Sequence, residues 1–307
     1  MKKKVSIAAS FRQNWQLYVL TAPALVWLAV FAYAPLYGLV IAFKDFKPRA
    51  GILASPWARP LFKHFAEFFS TNMAWTTISN TLILSLETLV FSFPIPIIFA
   101  LLLNQIRTRR LRKAIQTLSY APFFISTVVV VSILTVVLSP GSGFVNVLYQ
   151  KLSGGAPALF MSRPEYFRPV YIISGIWQSM GFNAIIYIAA LAGVSPDLYE
   201  AAIVDGATKF QRILHIDIPS ILPTAMIMFV LALGGLMSVG YEKVFLMQRG
   251  MNTVVSEVIS TYVYKTGLQS AQYSFATAVG LFNSLVNFVI LVTCNWVTKK
   301  TSDVSIF

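Results

Sequence analysis

One cysteine in 307 residues, Cys294, excludes a disulfide framework, a thiolate metal site and a redox pair. Histidine is almost as scarce. His64 and His215 fall in different loops on opposite sides of the expected membrane arrangement, so they share no metal and read as packing or surface residues. Charged residues amount to 11% of the chain, against about a quarter in a typical soluble domain. No paired acids and no Ser/His/Asp set converge on one expected face, which leaves an enzyme without its reacting groups. A Gly-x-x-x-x-Gly-Lys-Ser/Thr loop is absent too, so nothing here cradles the phosphates of a nucleotide. Internal repeats and low-complexity tracts are missing. Acids are few, 11 against 24 Lys and Arg, and the net charge is +13. The positive residues are spread over many segments, which suits anionic lipid headgroups rather than a nucleic acid.

What the chain has is apolar length. Hydrophobic residues make up 57%, and a helix needs about 20 of them in a row to cross a bilayer. Runs of that kind are Leu17 to Phe43, Thr81 to Leu103, Leu118 to Leu138, Val170 to Val194, Ile221 to Val239 and Phe275 to Val297. A bilayer excludes unpaired backbone groups, and no alternating ten-residue pattern supports a barrel, so the expectation is an all-α, polytopic protein with six spans. The first span is too long for a removable signal peptide and lacks a small-residue cleavage site. An even number of spans puts both termini on one side. Counting Lys and Arg gives 13 on that side and 11 on the other. The dense cluster Arg107, Arg109, Arg110, Arg112 and Lys113 sits close to two span ends, where the positive-inside rule weighs most, and it places that side in the cytoplasm. The outer loop from Lys44 to Ala74 contains an amphipathic piece, Lys63 to Phe69, expected to lie flat at the interface, and the loop from Ser139 to Arg168 carries a second such stretch, Phe144 to Leu152. Segments outside the spans are too short for a separate soluble core. The expected division is 1–74 for an N-terminal tail, first span and first external loop, 75–298 for the main transmembrane domain, and 299–307 for a C-terminal tail.

A charged insert, Glu200 to Pro219, separates two apolar runs. Ser195 and Pro196 open a helix with an N-cap and a first-turn proline, and Asp197 adds negative charge at its positive end. Gly206 closes that helix. Thr208 and Gln211 have capping-box spacing, so a second short helix is expected to start at once and to stop at Pro219. Phe210, Ile213 and Leu214 line one face of it, with Glu200, Asp205, Lys209 and Arg212 left to water. The bent pair reads as a docking device.

Glu200-Ala201-Ala202, three residues, Gly206, nine residues, then Ile216-Asp217-Ile218-Pro219 resembles the signature loop of the permeases of ABC importers, with Ile218 for the usual Leu. The resemblance spreads over Asn80-Thr81-Leu82, Ser92 to Pro96, Ala100 to Asn104 and Gln116 to Pro122, as in carbohydrate importers. Tyr33 to Phe46 is similar to the branch that takes up oligosaccharides from alginate or rhamnogalacturonan. The likeness implies a type I ABC permease fold with a cytoplasmic coupling-helix loop, in a bacterial cell membrane. It implies further partners: a second permease, generally unlike the first, a dimer of ATPase subunits that bind ATP and Mg, an external solute-binding protein, and a carbohydrate cargo. No cofactor and no catalytic residue are expected in this chain itself.

Under that resemblance Glu200, Ala201, Ala202, Asp205, Gly206 and Phe210 are the ATPase-coupling residues, with Glu200 facing a basic group, the alanines permitting close approach and Gly206 supplying the bend. Polar and aromatic residues inside spans are the pointers to a substrate path: Glu87, Tyr120, Trp177, Gln178, Asn183, Tyr187, Asn283 and Asn287. The same residue types also join helices by hydrogen bonds or crowd membrane interfaces. Glu87 stands apart as a carboxylate within a span, facing either a cargo or partner or else the headgroups near the outer end. The competing class is a secondary transporter or channel, which needs its own coupling-ion site near broken helices. A membrane scaffold without transport is the third.

Overall fold

The computed structural model describes residues 14–301, and among them there is no β-strand beyond an isolated bridge between Lys44 and Trp57. The expected tails fall largely on residues 1–13 and 302–307, outside the described residues. Among the described residues five helices are long and apolar enough to span a membrane: α1 (Trp15–Phe43), α3 (Asn72–Asn104), α7 (Pro164–Ala192), α9 (Lys209–Gly234) and α12 (Tyr273–Thr301). Between them lie α2 (Lys63–Ser70), α4 (Arg109–Phe124), α5 (Thr127–Val137), α6 (Phe144–Ser153), α8 (Pro196–Val204), α10 (Tyr241–Met247) and α11 (Ile259–Tyr264).

The expected span from Leu118 to Leu138 is not one straight helix but a bent pair, which counts as the sixth span if the pair crosses together. It is an elbow, α4 and α5, bent by 99°. Pro122 turns the chain through a 3-10 turn, and Ser126 then restarts a helix, its hydroxyl accepting from the Val129 N–H. The carbonyl of Ile125 left over at the break accepts the Gln178 amide at 2.9 Å. Phe123 stacks on Phe182 of α7 at 3.7 Å between ring centres. A Cβ on Gly181 would come within 2.2 Å of the Ser119 carbonyl oxygen, so α4 approaches α7 closely only because residue 181 has no side chain.

Two ends are corrected as well. Pro219 does not stop the helix that begins at Lys209. A five-residue π turn, Ile213–Asp217, takes up the register immediately before the proline, whose missing N–H would otherwise break the ladder, and the helix runs on to Gly234. It stops there rather than at Val239. A Cβ on Gly234 would lie 2.6 Å from Leu291, and the freed Met237 N–H donates to Asn287 Oδ1 at 2.8 Å.

Three buried clusters follow one another along α3. Phe68, Ala74, Ile259, Phe275 and Val279 pack at its start, Leu84, Val131, Phe167 and Val244 in the middle, and Ala100, Leu101, Ala184, Tyr187 and Ile221 at its end. The amphipathic piece at 63–69 forms α2 and packs one face against the bundle, with His64 and Phe68 buried and most of its other side chains exposed. The start of α3 and the segments around it form a cap end. The other end, with residues 105–113 and 193–217, is the basic end.

Candidate coupling loop and substrate path

Each local signal at residues 195–212 produces its element. The Ser195 hydroxyl accepts from the Asp197 N–H at 3.3 Å, Pro196 occupies the first turn, and Asp197 supplies the acid there. Helix α8 ends in a Schellman motif: Gly206 N–H reaches Ile203 O at 3.1 Å, and Ala207 N–H reaches Ala202 O at 2.8 Å. Gly206 takes φ +78°, a conformation that costs any residue with a Cβ. Thr208 and Gln211 complete the capping box, with the Thr208 N–H donating to Gln211 Oε1 at 2.8 Å and the Gln211 N–H to Thr208 Oγ1 at 3.3 Å.

The surface this makes is apolar at its crest and charged at its sides. Val204 is 87% and Phe210 71% exposed, with Leu198 and Ile203 also bare. Glu200, Ala201, Asp205 and Lys209 are exposed and Ala202 is half-buried. Large aliphatic and aromatic side chains held at a helix bend with nothing over them form a socket-filling shape. Ile213 turns inward to pack with the cluster around Tyr187 and Ile221.

Beneath the loop lies a polar knot that sequence reasoning missed. Asp217 is fully buried and accepts from Tyr199 Oη at 2.5 Å, Gln105 Nε2 at 2.9 Å and Asn104 Nδ2 at 3.3 Å. Arg112 donates to the carbonyls of Ile106 at 2.6 Å and Asn104 at 3.4 Å. Burial, then the bond to Asp217, pushes the Tyr199 phenol up to about 12, so it stays a donor. The signal was a lone acid at the head of an apolar run, Asp217-Ile218-Pro219.

The eight residues expected to line a path do not meet in one cavity. Asn183 and Tyr187 line a space of about 240 Å³ with Thr88, Ser92 and Met228. Glu87 faces a larger cavity of about 790 Å³ with Phe91, Ile172, Ile176 and Val255, and its carboxylate lies 3.6 Å from Arg168. Neither earlier reading of Glu87 named Arg168, which also donates to Asn80 Oδ1 at 3.4 Å. Gln178 and Asn287 hold backbone at helix breaks, as described above. Tyr120 and Asn283 are half-buried, and Trp177 is exposed on α7. Lys243, also unforeseen, is held by the Tyr171 carbonyl at 3.0 Å and lies 4.8 Å above the Tyr171 ring. Burial pulls its ammonium down to about 8, and among the described residues no carboxylate comes within ion-pair distance of it.

The chain is similar to known proteins over nearly its whole length. Protein LplB of Bacillus subtilis (strain 168) is 38% identical over 99% of this chain and 95% of its own length. The polygalacturonan/rhamnogalacturonan transport system permease protein YteP of the same organism is 37% identical over 100% and 94%. A solved bacterial alginate ABC transporter, in complex with alginate pentasaccharide-bound periplasmic protein, includes a chain with TM-score 0.89 and 38% identity, covering 98% of this chain and 99% of that one. The family of binding-protein-dependent transport system inner membrane components matches residues 92–303, and with these relatives it makes this chain an integral membrane permease of that family.

Proposed function

We propose that the chain is one of two permease subunits of an ATP-driven importer that moves an oligosaccharide delivered by an external solute-binding protein. The observation that carries this reading is the loop at 195–212, whose caps hold Val204 and Phe210 bare beside Glu200 and Asp205. An apolar crest at the basic end fits the cleft of a cytoplasmic ATPase dimer, which binds the ATP and Mg. The chain itself contributes motion and no chemistry. Glu200 reaches a basic group of the ATPase, and both termini lie on that cytoplasmic side. The 75–298 region is the transporting unit.

The cargo is a saccharide carrying carboxylates. YteP and the alginate transporter are named for uronate-containing polymers, and Lys243 offers a half-buried ammonium without an acid of its own. The cavity beside Glu87 and Arg168 and the smaller one at Asn183 and Tyr187 are the candidate stations along its path. A secondary transporter fits less well, because Glu87, an acid inside a span, is already engaged by Arg168.

Purification in mild detergent with the ATPase, second permease and binding protein coexpressed tests the reading. Wild type is expected to bring down the ATPase, and Glu200→Lys to lose it while keeping the second permease. Uptake by this chain alone, in vesicles without ATP, overturns the proposal.

A further inference from the structure

The knot under the coupling loop joins elements distant in sequence. Tyr199 belongs to α8, the helix that faces the ATPase in the function proposed above. Asn104 and Gln105 end α3, and Asp217 closes the π turn at the foot of α9. Every group around the Asp217 carboxylate donates: Tyr199 and Asn104 to Oδ1, Gln105 to Oδ2. Asn104 also donates to Tyr199 Oη at 3.4 Å, which closes a ring of three side chains. Among the described residues no cation lies within ion-pair distance of Asp217, and the neighbouring Arg112 spends its guanidinium on the carbonyls of Asn104 and Ile106.

A carboxylate taken fully out of water beside neutral donors is a costly way to fill space, since an apolar side chain avoids the desolvation. What it provides is direction. Its acceptors hold three partly buried donors at fixed angles, and withdrawing it leaves all three without their acceptor. Helix α8 otherwise exposes most of its side chains, and its sequence has Tyr199 as the one aromatic turned inward. The chain enters α8 through a Gly193-Val194 turn and leaves it through the Gly206 bend, so side-chain contact is its other tie to the bundle.

We propose that Asp217 is a positioning residue for energy coupling: by holding Tyr199, Asn104 and Gln105 together it locks the ATPase-facing helix to the inner ends of α3 and α9, so that the three move as one body. Without the lock the ATPase still grips α8, but the grip no longer turns the membrane helices.

The test rests on the coupling role proposed above and uses the complete importer, with both permeases, the ATPase and the binding protein, in proteoliposomes. ATP hydrolysis stimulated by loaded binding protein and uptake of the saccharide are measured in the same vesicles. Asp217→Asn places an amide N–H against a donor, and Tyr199→Phe removes one hydroxyl with the ring retained. The expected result is an ATPase that still copurifies in wild-type amount, hydrolysis within about twofold of wild type, and saccharide taken up per ATP lower by about tenfold in either variant, the size of a lost hydrogen bond to a charged group. The double variant is expected to be no worse than Asp217→Asn, because both break one lock. Uptake and hydrolysis that fall in the same ratio overturn the proposal and make the knot a folding element only. An unchanged ratio in Tyr199→Phe also overturns it, and this variant serves if Asp217→Asn does not assemble. Failure of the wild-type chain to bind the ATPase instead refutes the function on which the inference stands.

Discussion

At the cap end Asn252, fully buried, uses its whole amide: Oδ1 accepts from the Arg249 N–H and Ser256 Oγ, each at 2.9 Å, and Nδ2 donates to the carbonyls of Met161 at 3.0 Å and Met247 at 3.1 Å. Asn146 does the same for Leu138 and Ala158, and the Lys44 ammonium, also buried, donates to the carbonyls of Ile52, Leu53 and Ser55. At the basic end the caps are local, the crest is bare, and a single knot reaches into the bundle. The difference teaches where each end finds its partners. Irregular chain at the cap end satisfies its backbone from within through side chains of remote sequence. The loop at the basic end has its backbone satisfied by its own helix ends and leaves its apolar side chains exposed.

The contrast breaks most sharply at Gly206. Gly206→Pro cannot take φ +78° and is expected to lower ATP-driven uptake by about 100-fold with membrane insertion intact, as read by vesicle transport beside a protease-protection assay. The same change at an end that fits itself would show up as loss of fold. Asn252→Ala is that counterpart: it strands several buried groups, costs about 3 kcal/mol, and lowers the melting midpoint in detergent while the ATPase still binds. Phe210→Ala is expected to weaken ATPase association by about tenfold, as measured by titration of the detergent-purified complex, with no change in melting midpoint.

Lys243 sharpens the comparison through pH. Its ammonium is lowered to about 8, so the charge is present below that pH and lost as pH rises through it. Uptake of a uronate oligosaccharide is expected to fall several-fold between about pH 7 and pH 9, while Lys243→Gln gives a low and flat profile and neutral cargo shows no slope. The smallest effect is expected for Glu165→Gln. The pair of Arg163 and Glu165 at 3.3 Å is solvent-exposed on both sides, and its loss changes the melting midpoint by less than about 0.5 kcal/mol equivalent.

The parts legible in the sequence were those specified by near neighbours. Ser195, Pro196, Gly206, Thr208 and Gln211 act within five residues of the groups they cap, and each appears where its spacing places it. The long apolar helices were legible for the same reason, apart from their ends. What escaped depends on tertiary contact. Leu118 to Leu138 reads as one apolar run, because the cost of its break is met by Gln178, some fifty residues on. Pro219 reads as a stop, because composition does not reveal a π turn that absorbs it. Glu87 reads as a lone acid until Arg168 is brought alongside, and the bond from the Met237 N–H to Asn287 is equally invisible in the sequence. Asp217 is the plainest case: its importance lies in Asn104, Gln105 and Tyr199, none of which its own segment announces.

Helix α9 has a further consequence as a mechanical part. It runs unbroken for 26 residues from the capping box to the Gly234-Gly235 break, a rod of about 39 Å at 1.5 Å per residue. At its far end Gly235, Leu236 and Ser238 line a small space with Ser85 and Thr88 of α3. Pivoted near the loop, a rod of that length converts a tilt of about 5° into a displacement of about 3 Å at the tip. That is close to the width of a water molecule, so a slight rocking at one end of the helix is enough to reshape the small space at the other.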